Sequence, residues 1–324
     1  MPRRPQPAPF DGALVVDKPQ GKTSHDVVDA IRHLAGFRQV GHLGTLDPLA
    51  TGVLVLLLGR ATRLAQFYSG RRKRYTAGFR FGFSTDSYDS DGEAQGPDNP
   101  ATLDAASLER FAAERVGRFA QIPPIFSAKK VNGRPAYELA RKKKKVELKP
   151  AEVEVFEFKL TEIAGVVARF VIECSYGTYI RSLAHEMGQK LGCGAHLSEI
   201  CRIAVGEFSL HQAWKLDDLA VAARAGKLKD CLIPLENLLP NFPSANVLPV
   251  IEKRVRHGAR FNLAVSQIQP ARAENPPGST MELDSGESHA PRLRVFDQQK
   301  RLIAIAEAVV PRTYQPIVVF EPLP

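Results

Sequence analysis

Six consecutive apolar residues, Val53 to Leu58, constrain this chain more than any other feature, because the segment leading into them is crowded with glycine: Gly41-His42-Leu43-Gly44-Thr45-Leu46-Asp47-Pro48-Leu49-Ala50-Thr51-Gly52. The run is far shorter than the roughly twenty residues a membrane span requires. It reads instead as a fully buried strand, which the rest of the chain has to cover. With 324 residues, 44% of them hydrophobic, the chain can build one large domain and a small one.

Around that strand the periodicity alternates between strand and helix. Ala13 to Val16 is a strand candidate ending in the turn Asp17 to Gly21, and Thr23 or Ser24 can cap a helix that buries Val27, Val28, Ile31 and Leu34. Thr62 to Tyr68 reads as a short helix and Arg74 to Phe83 as a strand entering a polar loop, Ser84 to Pro100. A helix around Leu108 and Phe111 is expected to stop at Gly117. Asn132-Gly133 marks a tight turn, and Ala136 to Arg141 a short helix. Ala168, Phe170, Ile172 and Cys174 alternate with more polar neighbours, as a one-faced strand requires, and Ile180, Leu183, Ala184, Met187 and Leu191 mark an amphipathic helix starting near Gly177-Thr178.

Prolines cluster from Pro234 to Pro249 and periodicity fades there, which divides a body over 11–240 from a small β-rich unit over 245–324; residues 1–10 read as a loose end. Leu293 to Phe296 and Leu302 to Ile305 are strand candidates in that unit, and Gln267 to Pro291 is a Pro/Gly/Ser-rich loop. Strands and helices alternate without regular βαβ spacing, so the expected class is α+β with a mixed sheet.

Forty-four basic against 35 acidic residues give a net charge of +9 and favour a polyanionic partner such as nucleic acid. The basic runs Arg71 to Arg74 and Arg141 to Lys145 are either phosphate contacts or ordinary solvated faces. Four cysteines without a Cys-x-x-Cys pair, and an N-terminus lacking an apolar signal core, lead us to expect a reducing, cytoplasmic setting without a membrane anchor.

Three segments invite a chemical reading. Gly21-Lys22-Thr23 ends like a phosphate-binding loop, but the glycine required five positions earlier is Val16, so the backbone cannot cradle phosphates in that way. His185, Cys193, His196 and Cys201 include zinc-ligand types, but only Cys193 and His196 have a close ligand spacing, so no metal is expected. In the glycine-rich segment, Asp47 precedes proline, and Asp-Pro on its own is simply a turn. Three glycines and a proline packed around one carboxylate beside a buried strand make it the strongest catalytic candidate.

GHLGTLDPLATGVL resembles the catalytic-loop motif of the TruB-type tRNA pseudouridine synthases. Other segments match that family in the right order: Lys18-Pro19 with Gly21, Thr23 and Ser24; Lys73-Arg74-Tyr75; Ser127-Ala128-Lys129-Lys130 with Gly133; Gly177 to Leu183; and Leu191 to Leu197. The resemblance spans about residues 11 to 215. It departs at Arg134-Pro135-Ala136-Tyr137, where bulkier or more basic residues are usual, and at Arg63, where a lysine is common. Towards the C-terminus a weaker similarity to a small PUA-like RNA-binding domain runs through Leu293 to Asp297 and Ala304 to Glu307.

The resemblance implies a pseudouridine synthase fold, a mainly antiparallel sheet flanked by helices, with an RNA-binding insertion near 121–152. It implies conversion of uridine to pseudouridine at position 55 in the T loop of tRNA, with the T arm as partner and no obligatory protein partner. Asp47, Tyr75 and Arg181 are then the catalytic set, and His42, Tyr179, Lys18, Arg63 and Lys130 contact substrate. The reaction breaks the bond from N1 to C1′, turns the uracil and joins C5 to the same carbon, so it has no net redox change and calls for no cofactor. A carboxylate can begin it as nucleophile or by removing the ribose 2′ proton. Burial would push such a carboxylate towards protonation, and a guanidinium opposes that; Arg181, off the apolar stripe of its helix, is the expected partner. An RNA-binding or RNA-folding role without turnover is the alternative, and the joint presence of Asp47, Tyr75 and Arg181 argues against it.

Overall fold

The computed structural model describes residues 8–99, 102–126, 148–271 and 291–320, and the backbone alone of 130–131 and 134–135. β1 (Gly12–Lys18) leads into α1 (Ser24–Ala35), whose start is fixed by a capping box: Thr23 Oγ1 accepts the Asp26 N–H, and the Asp26 carboxylate accepts the Thr23 N–H. β2 (Val40–His42) and β3 (Thr51–Leu58) flank the glycine-rich segment. The helix expected over 62–68 is a 3-10 helix, Gly59–Phe67. Its buried residues Ala61, Leu64 and Phe67 recur every third position, which is the spacing that aligns side chains on a 3-10 helix rather than an α-helix.

β4 (Lys73–Phe81) follows, and the polar loop after it carries a two-rung hairpin, β5 (Ser84–Thr85) with β6 (Ala94–Gln95). α2 (Ala105–Glu114) is capped by the Asp104 carboxylate on the Ser107 N–H and ends at Arg115. Gly117 is therefore not its stop: at φ +103° it begins β7 (Gly117–Gln121). β8 (Lys130–Val131) pairs with β9 (Arg134–Pro135), and β10 (Ala151–Ala164) with β11 (Val167–Cys174). The helix expected at Ala136 to Arg141 and the run Arg141 to Lys145 lie outside the described residues. α3 (Ile180–Leu191) and β12 (Ala195–Val205) complete the body's centre, followed by β13 (Phe208–Ser209), α4 (Leu216–Arg224) and β14 (Ile233–Pro234).

The main sheet runs β14-β1-β3-β12-β4-β11-β10-β7, with β2 added to β3 and β13 to β12. All its pairs are antiparallel except β3 with β12, where only Thr51 and Gly52 meet Cys201 and Arg202. Two antiparallel halves thus join at a short seam, and the glycine-rich segment enters β3 there. Leu54, Leu56 and Leu58 point into a core shared with α1, α3 and Phe79, Phe81 and Phe170; Val53, Val55 and Leu57 point into a second core on the other face. The apolar run is covered on both sides, as its composition requires.

That second core is closed by the C-terminal unit. β15 (Ser244–Asn246), α5 (Pro249–Arg256), β16 (Phe261–Asn262), β17 (Arg292–Phe296), β18 (Leu302–Val310) and β19 (Thr313–Val319) form a five-stranded sheet in the order β15-β17-β18-β19-β16 beside one helix. Leu302, Ile305, Val318 and Phe320 share a cluster with Val55, Phe67 and Tyr68, while Ile303, Val295 and Val255 close a third core. The proline-rich stretch after Pro234 does not interrupt the packing, since Leu235, Leu238, Leu239 and Phe242 are buried in the shared cluster. Residues 272–290 of the Pro/Gly-rich loop lie outside the described residues.

Candidate active site

Asp47 sits in a turn that its own sequence favours: Pro48 follows it, and the Ala50 N–H donates to the Asp47 carbonyl at 3.0 Å. The neighbours of this turn are fastened from three directions. Ser24, buried at the start of α1, accepts the Leu46 N–H at 2.8 Å and donates to the Leu46 carbonyl at 3.0 Å. The Gly21 N–H and the Lys18 ammonium both donate to the Pro48 carbonyl, at 2.8 and 3.3 Å. Arg202, buried in β12, donates to the carbonyls of Gly44, Thr45 and Val53. Gly52 is required at the seam, because a Cβ there would lie 2.4 Å from the Arg202 carbonyl oxygen.

The backbone is fixed, yet the Asp47 side chain is 49% exposed. The expectation of a buried carboxylate is therefore corrected: the turn is held from below and its acid stays half exposed. Oδ2 pairs with Arg181 Nη2 at 3.0 Å, and Oδ1 has no partner among the described residues. The Arg181 side chain is only 8% exposed and spends its other donors on the Ser87 carbonyl (3.2 Å), the Phe126 carbonyl (2.9 Å) and the Asp89 carboxylate (3.3 Å). Two carboxylates and two carbonyls thus fix the planar guanidinium, a geometry that lysine cannot copy. Asp89 is itself buried, accepting from the Ser87 hydroxyl and the Asp91 N–H.

Tyr75 lies on the core-facing side of β4, and burial pushes its phenol up to about 12, opposed by the Arg202 charge nearby; the Asp47 charge adds to the rise. Its hydroxyl is neutral at physiological pH. Tyr179 is the N-cap residue of α3, where Gln121 clasps its backbone: Gln121 Oε1 accepts the Tyr179 N–H at 2.8 Å and Nε2 donates to its carbonyl at 3.1 Å. His42 ends β2 at the surface; partial desolvation first, then the Arg202 charge, hold its imidazole below the ordinary histidine range.

The remaining expected residues lie in different settings. Lys18 is fully buried and donates to the carbonyls of Pro19, Lys22 and Pro48, so it braces the loop from beneath instead of facing a substrate. Burial lowers its pKa to about 8, against the pull of Asp47. Arg63 donates to the Val319 carbonyl and lies over the Phe320 ring, so it joins the 3-10 helix to the C-terminal sheet. The Lys130 side chain lies outside the described residues. The run Arg71 to Arg74 is not an open basic face: Arg71 binds Asn241, Arg72 stacks on Phe156 near Glu173, Arg74 pairs with Glu157 and Glu173, and Lys73 is buried. His185 stacks on Tyr88 and His196 contacts the Phe83 carbonyl, so those residues serve packing.

Sequence reasoning missed Asp89, Arg202 and Gln121. Asp89 looks like any acid of a polar loop, and Gln121 like the end of a strand. Arg202 left a signal, an arginine within the largely apolar strand Ile200 to Val205. An isolated charge there has to be satisfied internally.

A half-exposed loop carboxylate held by a buried arginine, beside a neutral tyrosine, is an arrangement suited to acid-base or nucleophilic work on a bound ligand. Comparison with known proteins names the kind. Residues 32–180 match the TruB family pseudouridylate synthase N-terminal domain, and 181–240 the tRNA pseudouridylate synthase B C-terminal domain. The tRNA pseudouridine synthase B of Solibacter usitatus is 45% identical over 310 residues, covering 96% of this chain and all of that protein. That of Aquifex aeolicus is 38% identical over 254 residues, 78% of this chain and 87% of its own. A solved Cbf5-Nop10-Gar1 complex shares the fold, with a TM-score of 0.69 at 24% identity over 98% of this chain and 91% of the matched chain. The chain belongs to the TruB family of tRNA pseudouridine synthases.

Proposed function

We propose that this protein isomerises uridine to pseudouridine at position 55 in the T loop of tRNA, in the cytoplasm, with Asp47 as the essential group and no cofactor. The observation that carries this reading is the ion pair of Asp47 with Arg181 at 3.0 Å, formed through one carboxylate oxygen while the other has no partner among the described residues. Attack on the nucleotide and removal of the ribose 2′ proton both start from that open oxygen, so the same geometry serves either route. The base has to leave its stack to reach the carboxylate, and the Tyr75 ring offers a surface for the everted uracil. The neutral Tyr75 hydroxyl is available to assist proton transfer at C5. In this reading His42, beside the loop at the end of β2, and Tyr179, at the head of α3, meet the flanking nucleotides.

The test is to incubate purified protein with unmodified tRNA, without added cofactor, and to map pseudouridine. Product confined to position 55 and lost in Asp47→Asn supports the reading; product elsewhere refutes the position, and full activity in Asp47→Asn refutes the mechanism.

A further inference from the structure

Lys73 is 8% exposed, begins β4, and faces the same side of the strand as Tyr75, about 7 Å along the pleat at the usual rise per residue. It lies at the cleft end of the stripe that continues through Ala77, Phe79 and Phe81 into the core. Nothing in its surroundings balances its charge. Its ammonium has no carboxylate or carbonyl partner among the described residues; its one recorded contact is the Tyr176 ring, whose centroid is 4.3 Å away. Glu173, next to it across the sheet, is spent on Arg72 and Arg74, whose side chains alternate to the other face. The Cys174 thiol opposite Lys73 is pushed up to about 12 by burial and stays neutral. Arg202, on the other side, adds a second cation and directs its donors to backbone carbonyls.

A buried ammonium without an acceptor is costly, and burial together with the Arg202 charge lowers the Lys73 pKa to about 8. Such a group is stabilised by an anion that arrives with the ligand. The side chain is not sealed from solvent, since Lys73 keeps 8% of its surface exposed. Tyr176, whose ring lies over it, is 61% exposed. Gly44 of the catalytic loop lies on the Lys73 stem, with Cε 3.6 Å from where a Cβ would stand.

We propose that Lys73 is a phosphate-binding residue, its ammonium taking the phosphodiester beside the everted nucleotide whose base lies on Tyr75. The inference rests on the reading of the cleft as a uridine isomerase acting on RNA. It gives Lys73 the task of holding the sugar-phosphate backbone while Asp47 works on the sugar or base, and it explains why the strand keeps an unpaired cation one pleat from Tyr75. A phosphate there gains a charge-assisted hydrogen bond in a poorly solvated site, where such bonds are strongest.

The experiment titrates a T-arm stem-loop into Asp47→Asn protein, which prevents turnover, with and without Lys73→Met or Lys73→Arg, over a range of salt. A second series replaces single phosphates around the target uridine with uncharged methylphosphonate. The inference expects Lys73→Met to weaken binding about tenfold and to lower the salt slope by about 0.7, with Lys73→Arg retaining most of the affinity. One methylphosphonate next to the target should reproduce the loss with Lys73 present and add nothing to Lys73→Met. Lys73→Met should not lower the melting temperature, which separates lost binding from misfolding. Unchanged affinity, or losses that simply add at every phosphate, overturns the inference, and so does a methylphosphonate series with no sensitive position. Wild-type protein assayed on the same stem-loop reports the activity separately: absence of pseudouridine there refutes the proposed function, whereas product with an indifferent Lys73 refutes only this assignment.

Discussion

The two buried arginines beside the Asp47 turn have opposite surroundings. Arg181 meets two carboxylates, Asp47 and Asp89, and two carbonyls, so its charge is answered within the protein. Arg202 meets three carbonyls and the Tyr75 side chain, pairs with no carboxylate among the described residues, and has Lys73 and Lys18 as electrostatic neighbours. One side of the turn orients an acid; the other fixes the backbone and carries surplus positive charge. The difference teaches that a guanidinium's role follows from its acceptors. Carboxylate partners tie Arg181 to the Asp47 side chain, and carbonyl partners make Arg202 a fastener within an electropositive floor suited to a polyanion.

Breaking the Arg181 side should have the largest effect. Arg181→Met is expected to lower the single-turnover rate of pseudouridine formation by about 10²- to 10³-fold, and Arg181→Lys should recover little of it, because a point charge cannot bridge Asp47 to Asp89. A rate within threefold of wild type in either variant would dissolve the contrast. Asp89→Asn keeps the shape and removes one charge; about a tenfold loss in rate with little change in RNA affinity is expected. Loss in affinity alone would move Asp89 out of the positioning role.

On the other side, Arg202→Met leaves three carbonyls, that of Val53 fully buried, without this donor. A stability loss of about 2–4 kcal/mol in denaturant unfolding is expected, and an unchanged midpoint would show that the turn is not held from β12.

The smallest effect is in the pH dependence of stability. Lys18 and Lys73 have pKa values near 8, below the ordinary lysine value of 10.5, so the unfolded chain binds more protons between those limits and stability should rise with pH from about 8 towards 10.5. Tyr75, raised to about 12 from 10, works in the opposite sense above pH 10. Lys73→Met should therefore flatten the rise measured between pH 8 and 9.5; an identical slope would contradict the desolvation of that lysine.

Much of this site was legible in the chain itself. The apolar run gave the central strand, and the Thr23 cap and the 180s stripe gave the helices that bring residues 24 and 181 to the turn; the structure adds that Gly52 lies against the Arg202 backbone at the seam. What stayed hidden was which charges are internal. Arg71 to Arg74 look like a basic face in sequence, yet alternation on β4 sends neighbours to opposite sides, and the partners Glu157, Glu173 and Asn241 come from distant segments. Lys18 was singled out for contact and proved to be a brace, because its position at the end of β1 turns its stem under Pro48. Asp89 became visible only when the loop after β5 folded back on α3. The extent of the C-terminal packing was not readable either, since the proline-rich stretch that suggests a boundary contributes four buried residues to the shared core.

The account depends most on the open oxygen of Asp47. Its direct test is the single-turnover rate of Asp47→Asn on unmodified tRNA, measured alongside binding of the same RNA. Undetectable product, a fall of about 10⁴-fold or more, with affinity within a few-fold of wild type is the expected result. Pseudouridine formed at a comparable rate by the amide variant would contradict it.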